Sequence, residues 1–136
     1  MEWILPNYKK VGFEDVLNAC KNQQKYIIIN TLSPNEQNNL IQNTISIDQE
    51  EKIINEIMEK YENKIIIVYG KNSCDISVEK KYKQLIKLGL NVYIYTGGLF
   101  EWLLLQDIYG KNDFPTTEGY KEGIVDLLMY KPKSLL

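Results

Sequence analysis

The stretch IIIVYGKNSCD (65–75) decides the reading of this chain. Its unbroken β-branched run suits a strand buried on both faces, as in a parallel sheet. A polar loop follows, and SVEKKYKQLIKLG (77–89) then turns helical, with Tyr82, Leu85 and Ile86 facing inward and Gly89 as the expected C-cap. In sheets of this kind ligands sit outside the carboxyl ends of the strands. The loop is therefore the first place to look for chemistry. Gly70 comes directly after the strand, and the first reactive side chain, Cys74, lies four residues later.

The same alternation extends in both directions. VGFEDVLNACKNQ (11–23) places Phe13, Val16, Leu17 and Cys20 on one helical stripe, so Cys20 is expected in the core as a small hydrophobe. YIIIN (26–30) is a short apolar strand, SPNEQNNL (33–40) a turn opened by Pro34, and NTISID (43–48) alternates like a strand. QEEKIINEIMEKYE (49–62) is a helix with Ile53, Ile54, Ile57 and Met58 on its inner face. NVYIYTGG (91–98) is a strand ending in a glycine pair. LFEWLLLQDIYG (99–110) is a helix with Phe100, Leu103 and Leu104 inward, and a weaker helical stretch falls near 119–129. Alternating strands and helices predict one α/β domain over 1–136, with a mainly parallel sheet of about five strands and helices on both faces.

Composition narrows the chemistry. The 136 residues are 44% hydrophobic with a net charge of −2, as expected for a globular domain without affinity for nucleic acid. The longest apolar runs are too short to cross a membrane, and MEWILPNYKK does not read as a secretory signal. Two distant cysteines form neither a disulfide framework nor a zinc site, so a cytoplasmic, reducing setting is expected, with no metal and no cofactor. The chain has no histidine, and all 16 basic residues are lysine. Ser-His-Asp and Cys-His nucleophiles are thereby excluded, as is a bidentate guanidinium clamp on phosphate. Without a histidine partner, Glu36, Glu50, Glu51 and Glu101 are expected to be solvated or capping acids rather than a catalytic pair.

The order of these pieces resembles the rhodanese-like domain. In that family a strand ends in Tyr-Cys, a loop wraps the cysteine, a helix runs to a Leu and Gly, and a strand leads to Gly-Gly and Trp. Tyr69, Leu85, Gly89, Val92, Gly97, Gly98 and Trp102 fit that frame, and upstream Ile41, Asn43, Thr44, Ile45 and Ile47 fit a second motif. The resemblance covers roughly 10–107 and leaves 108–136 as an extension. It implies a loop whose backbone amides hold a thiolate or persulfide. It also places Gly70 at the nucleophile position, and Asn30 and Leu32 where the family carries Asp and Arg. Three polar hallmarks are thus absent, which suggests a divergent branch lacking the usual cysteine. Variants of the fold that reduce arsenate or hydrolyse phosphoesters end the loop in arginine, which this chain cannot supply.

The resemblance leads to an expected pseudoenzyme: a binding or regulatory module for an unknown protein partner or a small anion. The anion-binding loop would be Gly70, Lys71, Asn72, Ser73, Cys74 and Asp75, with Asn30, Leu32, Thr96, Gly97, Gly98 and Trp102 around the pocket rim. Trp102 has a second reading as core. The alternative is a weak sulfurtransferase or persulfide carrier in which Cys74 has taken over. A helix N-terminus would favour its thiolate. An adjacent Asp75 would oppose it, and an ordinary thiol is only a few per cent ionised at neutral pH.

Overall fold

The computed structural model describes residues 8–118. Its elements run β1 (Lys10–Val11), α1 (Phe13–Cys20), β2 (Tyr26–Asn30), a 3-10 turn (Pro34–Glu36), β3 (Thr44–Ile45), α2 (Ile47–Glu59), β4 (Ile65–Tyr69), α3 (Ile76–Lys87), β5 (Asn91–Tyr95) and α4 (Gly98–Tyr109). The five strands form one sheet in the order β1-β5-β4-β2-β3, and every pairing is parallel. β4 sits at the centre, with Ile28 of β2 opposite its Ile67 on one side and Tyr93 of β5 on the other.

The side-chain period of two divides β4 between two cores. Ile67 and Tyr69 face α1 and α4, where they meet Val16, Ala19, Trp102 and Leu103. Ile66 and Val68 face α2 and α3, where Ile54, Ile57, Val78, Tyr82 and Leu85 cover them. Both faces of the sheet are covered, which is why the strand sequence shows no polar alternation. Tyr69 is fully buried, and its hydroxyl accepts a hydrogen bond from Ile41 N (3.1 Å) and shares one with Thr44 Oγ1 (2.8 Å). The last residue of β4 thus ties down the segment leading into β3. Burial raises the Tyr69 phenol above its ordinary range.

Several expectations shift in detail. β1 was not foreseen. The strand expected over 43–48 reduces to Thr44–Ile45, because α2 already begins at Ile47 behind Ser46. Met58, Ile86 and Leu104 are 38%, 38% and 37% exposed rather than inward, since each lies one position outside the stripe its helix buries. In α3 that stripe is Val78, Tyr82 and Leu85. The C-cap of α3 is Leu88, and Gly89 follows it at φ +83°, with Leu90 N reaching back to Leu85 O in a Schellman closure. Beyond α4, residues 114–118 lie against the segment before β3. Ile41 bridges Thr116 antiparallel, and Thr117 N donates to Leu40 O at 2.8 Å. The helical stretch expected at 119–129 lies outside the described residues.

Candidate functional site

The loop 70–75 leaves the carboxyl end of β4 and enters α3, as the sequence suggested. Its internal bonding follows from two side chains, Asp75 and Asn72. Asp75 is the N-cap of α3: its Oδ1 accepts from Ser77 N (3.1 Å) and from the Ser77 hydroxyl (2.6 Å). Its other oxygen, Oδ2, turns back along the loop and accepts from Lys71 N at 3.0 Å. Asn72 closes the remaining turn, with Oδ1 accepting from Cys74 N (2.9 Å) and its carbonyl from Asp75 N (3.3 Å).

Two glycines set how closely the pieces meet. A β-carbon on Gly70 would lie 2.5 Å from Asp75 Oδ2, 2.6 Å from Val78 Cγ2 and 2.9 Å from Thr31 Oγ1. The space that a side chain at position 70 would enter is therefore already filled. Gly98, at φ +67°, presses the start of α4 onto the loop, and a β-carbon there would lie 2.8 Å from Gly70 O and 2.9 Å from Asn72 N. That approach lets Leu99 N donate to Gly70 O (2.9 Å) and Phe100 N to Lys71 O (2.8 Å). Gly98 thus clamps the loop in place.

The candidate residues do not all gather around one centre. Cys74 is exposed, with its Sγ 4.0 Å from Ser73 Oγ. It lines a cavity of about 220 Å³ with Asn72, Ser73, Asp75 and Thr96, beside Lys10 of β1. Lys71 directs its ammonium away from the loop centre to Glu36 Oε2, 3.0 Å away. Trp102 leaves the rim altogether, while Asn30 and Leu32, though nearly buried, line a different cavity with Thr31 and Ser77 rather than the one beside Cys74. Asn30 is 1% exposed, and its amide interlocks with that of Gln37: Asn30 Nδ2 donates to Gln37 Oε1 (3.1 Å) and Gln37 Nε2 donates to Asn30 Oδ1 (2.8 Å). Leu32 is 4% exposed and packs in the α1/α4 core. Trp102 is fully buried and donates from Nε1 to Pro115 O at 3.0 Å, so it is core.

Cys20 is a core residue. Its thiol donates to Gln42 O at 3.3 Å, and burial pushes its pKa up to about 11. The scattered acids have separate duties. Glu50 pairs with Lys81 at 2.6 Å, and Glu101 accepts from Tyr95 Oη at 2.6 Å. Among the described residues, no group of three or more Cys, Asp or Glu is placed to hold a metal ion. The sequence reading missed Glu36 and Ser77 as parts of the site. The signal for Ser77 was present: Asp-Ile-Ser ahead of an apolar helical stripe is an N-cap pattern.

Glu36 yields a pH prediction. Burial alone would raise its pKa, but hydrogen bonds from Ser33 and the Lys71 ammonium outweigh that, and the net shift is below the ordinary 4.5. A carboxylate lowered by folding contributes stability above its unfolded pKa and loses it as pH falls through the folded one. The stability gap between the parent and Glu36→Gln should therefore be full above about pH 5 and close in more acidic solution. Both partners are substantially exposed, so the gap should stay under about 1 kcal/mol in urea titrations run across the pH series.

A five-stranded parallel sheet with helices on both faces, and a strand–loop–helix junction at its carboxyl edge, defines a three-layer α/β domain. The chain belongs to the rhodanese-like domain family, whose model matches residues 13–105, inside the stretch where the resemblance was read. Solved structures share the fold. The BH2092 protein from Bacillus halodurans aligns with TM-score 0.59 at 17% identity, over 94% of this chain and 95% of its own. A thiosulfate sulfurtransferase from Pseudomonas aeruginosa aligns with TM-score 0.56 at 16% identity, over 71% of this chain and 19% of its own. An As-Sb reductase from Leishmania major aligns with TM-score 0.53 at 20% identity, over 77% of this chain and 81% of its own. The comparison with curated proteins gives no match.

Proposed function

We propose that this rhodanese-like domain is a binding or regulatory module, without sulfurtransferase activity, and that its partner is a protein. One observation carries the reading. The residue that ends β4 is followed by a glycine, and the volume its side chain would occupy holds Asp75 Oδ2, Val78 Cγ2 and Thr31 Oγ1 at 2.5–2.9 Å. A sulfur nucleophile has no room there. A small anion held in the loop is the less favoured form, because Lys71 N and Ser77 N already donate to a carboxylate. Phosphoryl or arsenate chemistry of the As-Sb reductase kind is disfavoured by a chain without arginine. The same reading places the protein in the cytoplasm, where its two free thiols suit a reducing setting. Among the described residues, no helix is long and apolar enough to cross a membrane.

A second reading keeps Cys74 as a sulfur carrier. It is favoured by the exposure of that thiol on a cavity just ahead of α3. In that reaction the Cys74 thiolate would attack the sulfane sulfur of thiosulfate, forming a persulfide and releasing sulfite. Intact mass spectrometry after incubation with thiosulfate or 3-mercaptopyruvate separates the two, with Cys74→Ser in parallel. The expected outcome is no added sulfur on either protein. One added sulfur on the parent, absent from Cys74→Ser and removed by reductant, would make the domain a sulfurtransferase.

A further inference from the structure

We infer that Asp75 is a built-in occupant of the donor set at the end of β4, closing the native loop to outside anions. This rests on the non-catalytic reading above and says what fills the site instead of a thiolate. The donors are real and converge on a negative group. Lys71 N reaches one carboxylate oxygen at 3.0 Å, and Ser77 N and Ser77 Oγ reach the other at 3.1 and 2.6 Å. The first oxygen also stands 2.5 Å from where a β-carbon on residue 70 would begin. The helix N-terminus thus already holds its anion, and that anion lies in the place of the missing side chain.

Steric and chemical walls keep it there. Val78 Cγ2 and Thr31 Oγ1 bound the same space, and the Thr31 hydroxyl lies 2.8 Å from Ser77 Oγ. The nearest lysine on the loop, Lys71, turns its ammonium to Glu36 at 3.0 Å. A tethered carboxylate also competes at an effective concentration on the order of millimolar or above. An inorganic anion of similar intrinsic affinity gains little occupancy against it. Removing the carboxylate while keeping the helix cap would leave Lys71 N facing an opening, which a sulfate-sized anion can fill.

The experiment uses the full chain with inorganic sulfate as probe, titrated at constant ionic strength against chloride. Binding is read by calorimetry and by the backbone amide resonances of Lys71 and Ser77. Asp75→Ser keeps a capping hydroxyl and removes the carboxylate; Asp75→Asn keeps the shape and removes the charge. The expected result is no movement of either amide in the parent, at least 10-fold tighter sulfate binding by Asp75→Ser with the Lys71 amide shifting, and little gain by Asp75→Asn. Saturable movement of both amides in the parent would overturn the inference whether or not the variants fold. So would a folded Asp75→Ser with no gain. A persulfide on Cys74 in a parent whose Lys71 and Ser77 amides ignore sulfate would sink the functional reading and leave this one standing.

Discussion

Gly70→Ala is expected to lower the unfolding free energy by about 3 kcal/mol and the melting temperature by about 10 °C, although it adds a single methyl. The methyl would begin 2.5 Å from Asp75 Oδ2 and 2.6 Å from Val78 Cγ2. Neither neighbour can swing clear cheaply. Asp75 is held by Lys71 N, Ser77 N and Ser77 Oγ, and Val78 is buried in the α2/α3 core. Overpacking of this kind costs about 1–3 kcal/mol, and displacing the carboxylate adds about 1 kcal/mol for each hydrogen bond lost. Gly70→Cys should behave the same way and acquire no sulfur from thiosulfate, since the added thiol and the carboxylate compete for one space. A double-mutant cycle isolates the cause. In an Asp75→Ala background the Gly70→Ala penalty should shrink by more than about 1 kcal/mol, as for groups in direct contact. Urea unfolding of the four proteins measures it. Full additivity would mean that the carboxylate does not block position 70.

The cycle also shows what the sequence could and could not convey. That β4 ends at a strand–loop–helix junction is legible, because Ile65 to Val68 are apolar without a break and Gly70 follows. That Asp75 folds back into the space beside Gly70 is not legible, because either side-chain direction suits an N-cap and the choice depends on contacts made in the folded loop, Lys71 N among them. Strand order is likewise hidden. β1 contributes two residues, paired to Ile94 and Tyr95 more than eighty positions away, and no local pattern encodes such a pairing. Helix faces were readable where polar residues interrupt the apolar ones, as in α2 and α3, and only the flanking Met58 and Ile86 were misplaced. In α4 the run LFEWLLL is apolar nearly all round, so its periodicity carries no phase. That is why Trp102 had two readings and why its inclusion in the pocket rim failed.

Trp102 supplies the other large effect, and its size distinguishes the two positions. A tryptophan at a pocket mouth loses less than about 1 kcal/mol on truncation, whereas a buried one loses about 3–5 kcal/mol. Trp102 has no exposed surface, meets Tyr95 edge-on at 6.1 Å and Phe114 at 5.2 Å, and donates from Nε1 to Pro115 O at 3.0 Å. Trp102→Ala should therefore cost about 4 kcal/mol, a large share of the 5–15 kcal/mol typical of a domain. Trp102→Phe keeps most of the ring and loses the donor, so about 1–2 kcal/mol is expected. The second variant also tests how the 114–118 segment is held. Pro115 O accepts from Gln42 N at 3.0 Å as well as from the indole, and Thr117 N donates to Leu40 O at 2.8 Å. Weakening one attachment should loosen its neighbours before the sheet feels it. Amide exchange at Gln42 and Thr117 should accelerate in Trp102→Phe by a larger factor than at Ile67 in β4, whose opening follows global unfolding. Equal acceleration at all three amides would mean that the segment and the sheet open as one unit, with the indole acting through bulk alone. A selective effect would make Trp102 the fastener that holds residues 114–118 against the rhodanese-like frame.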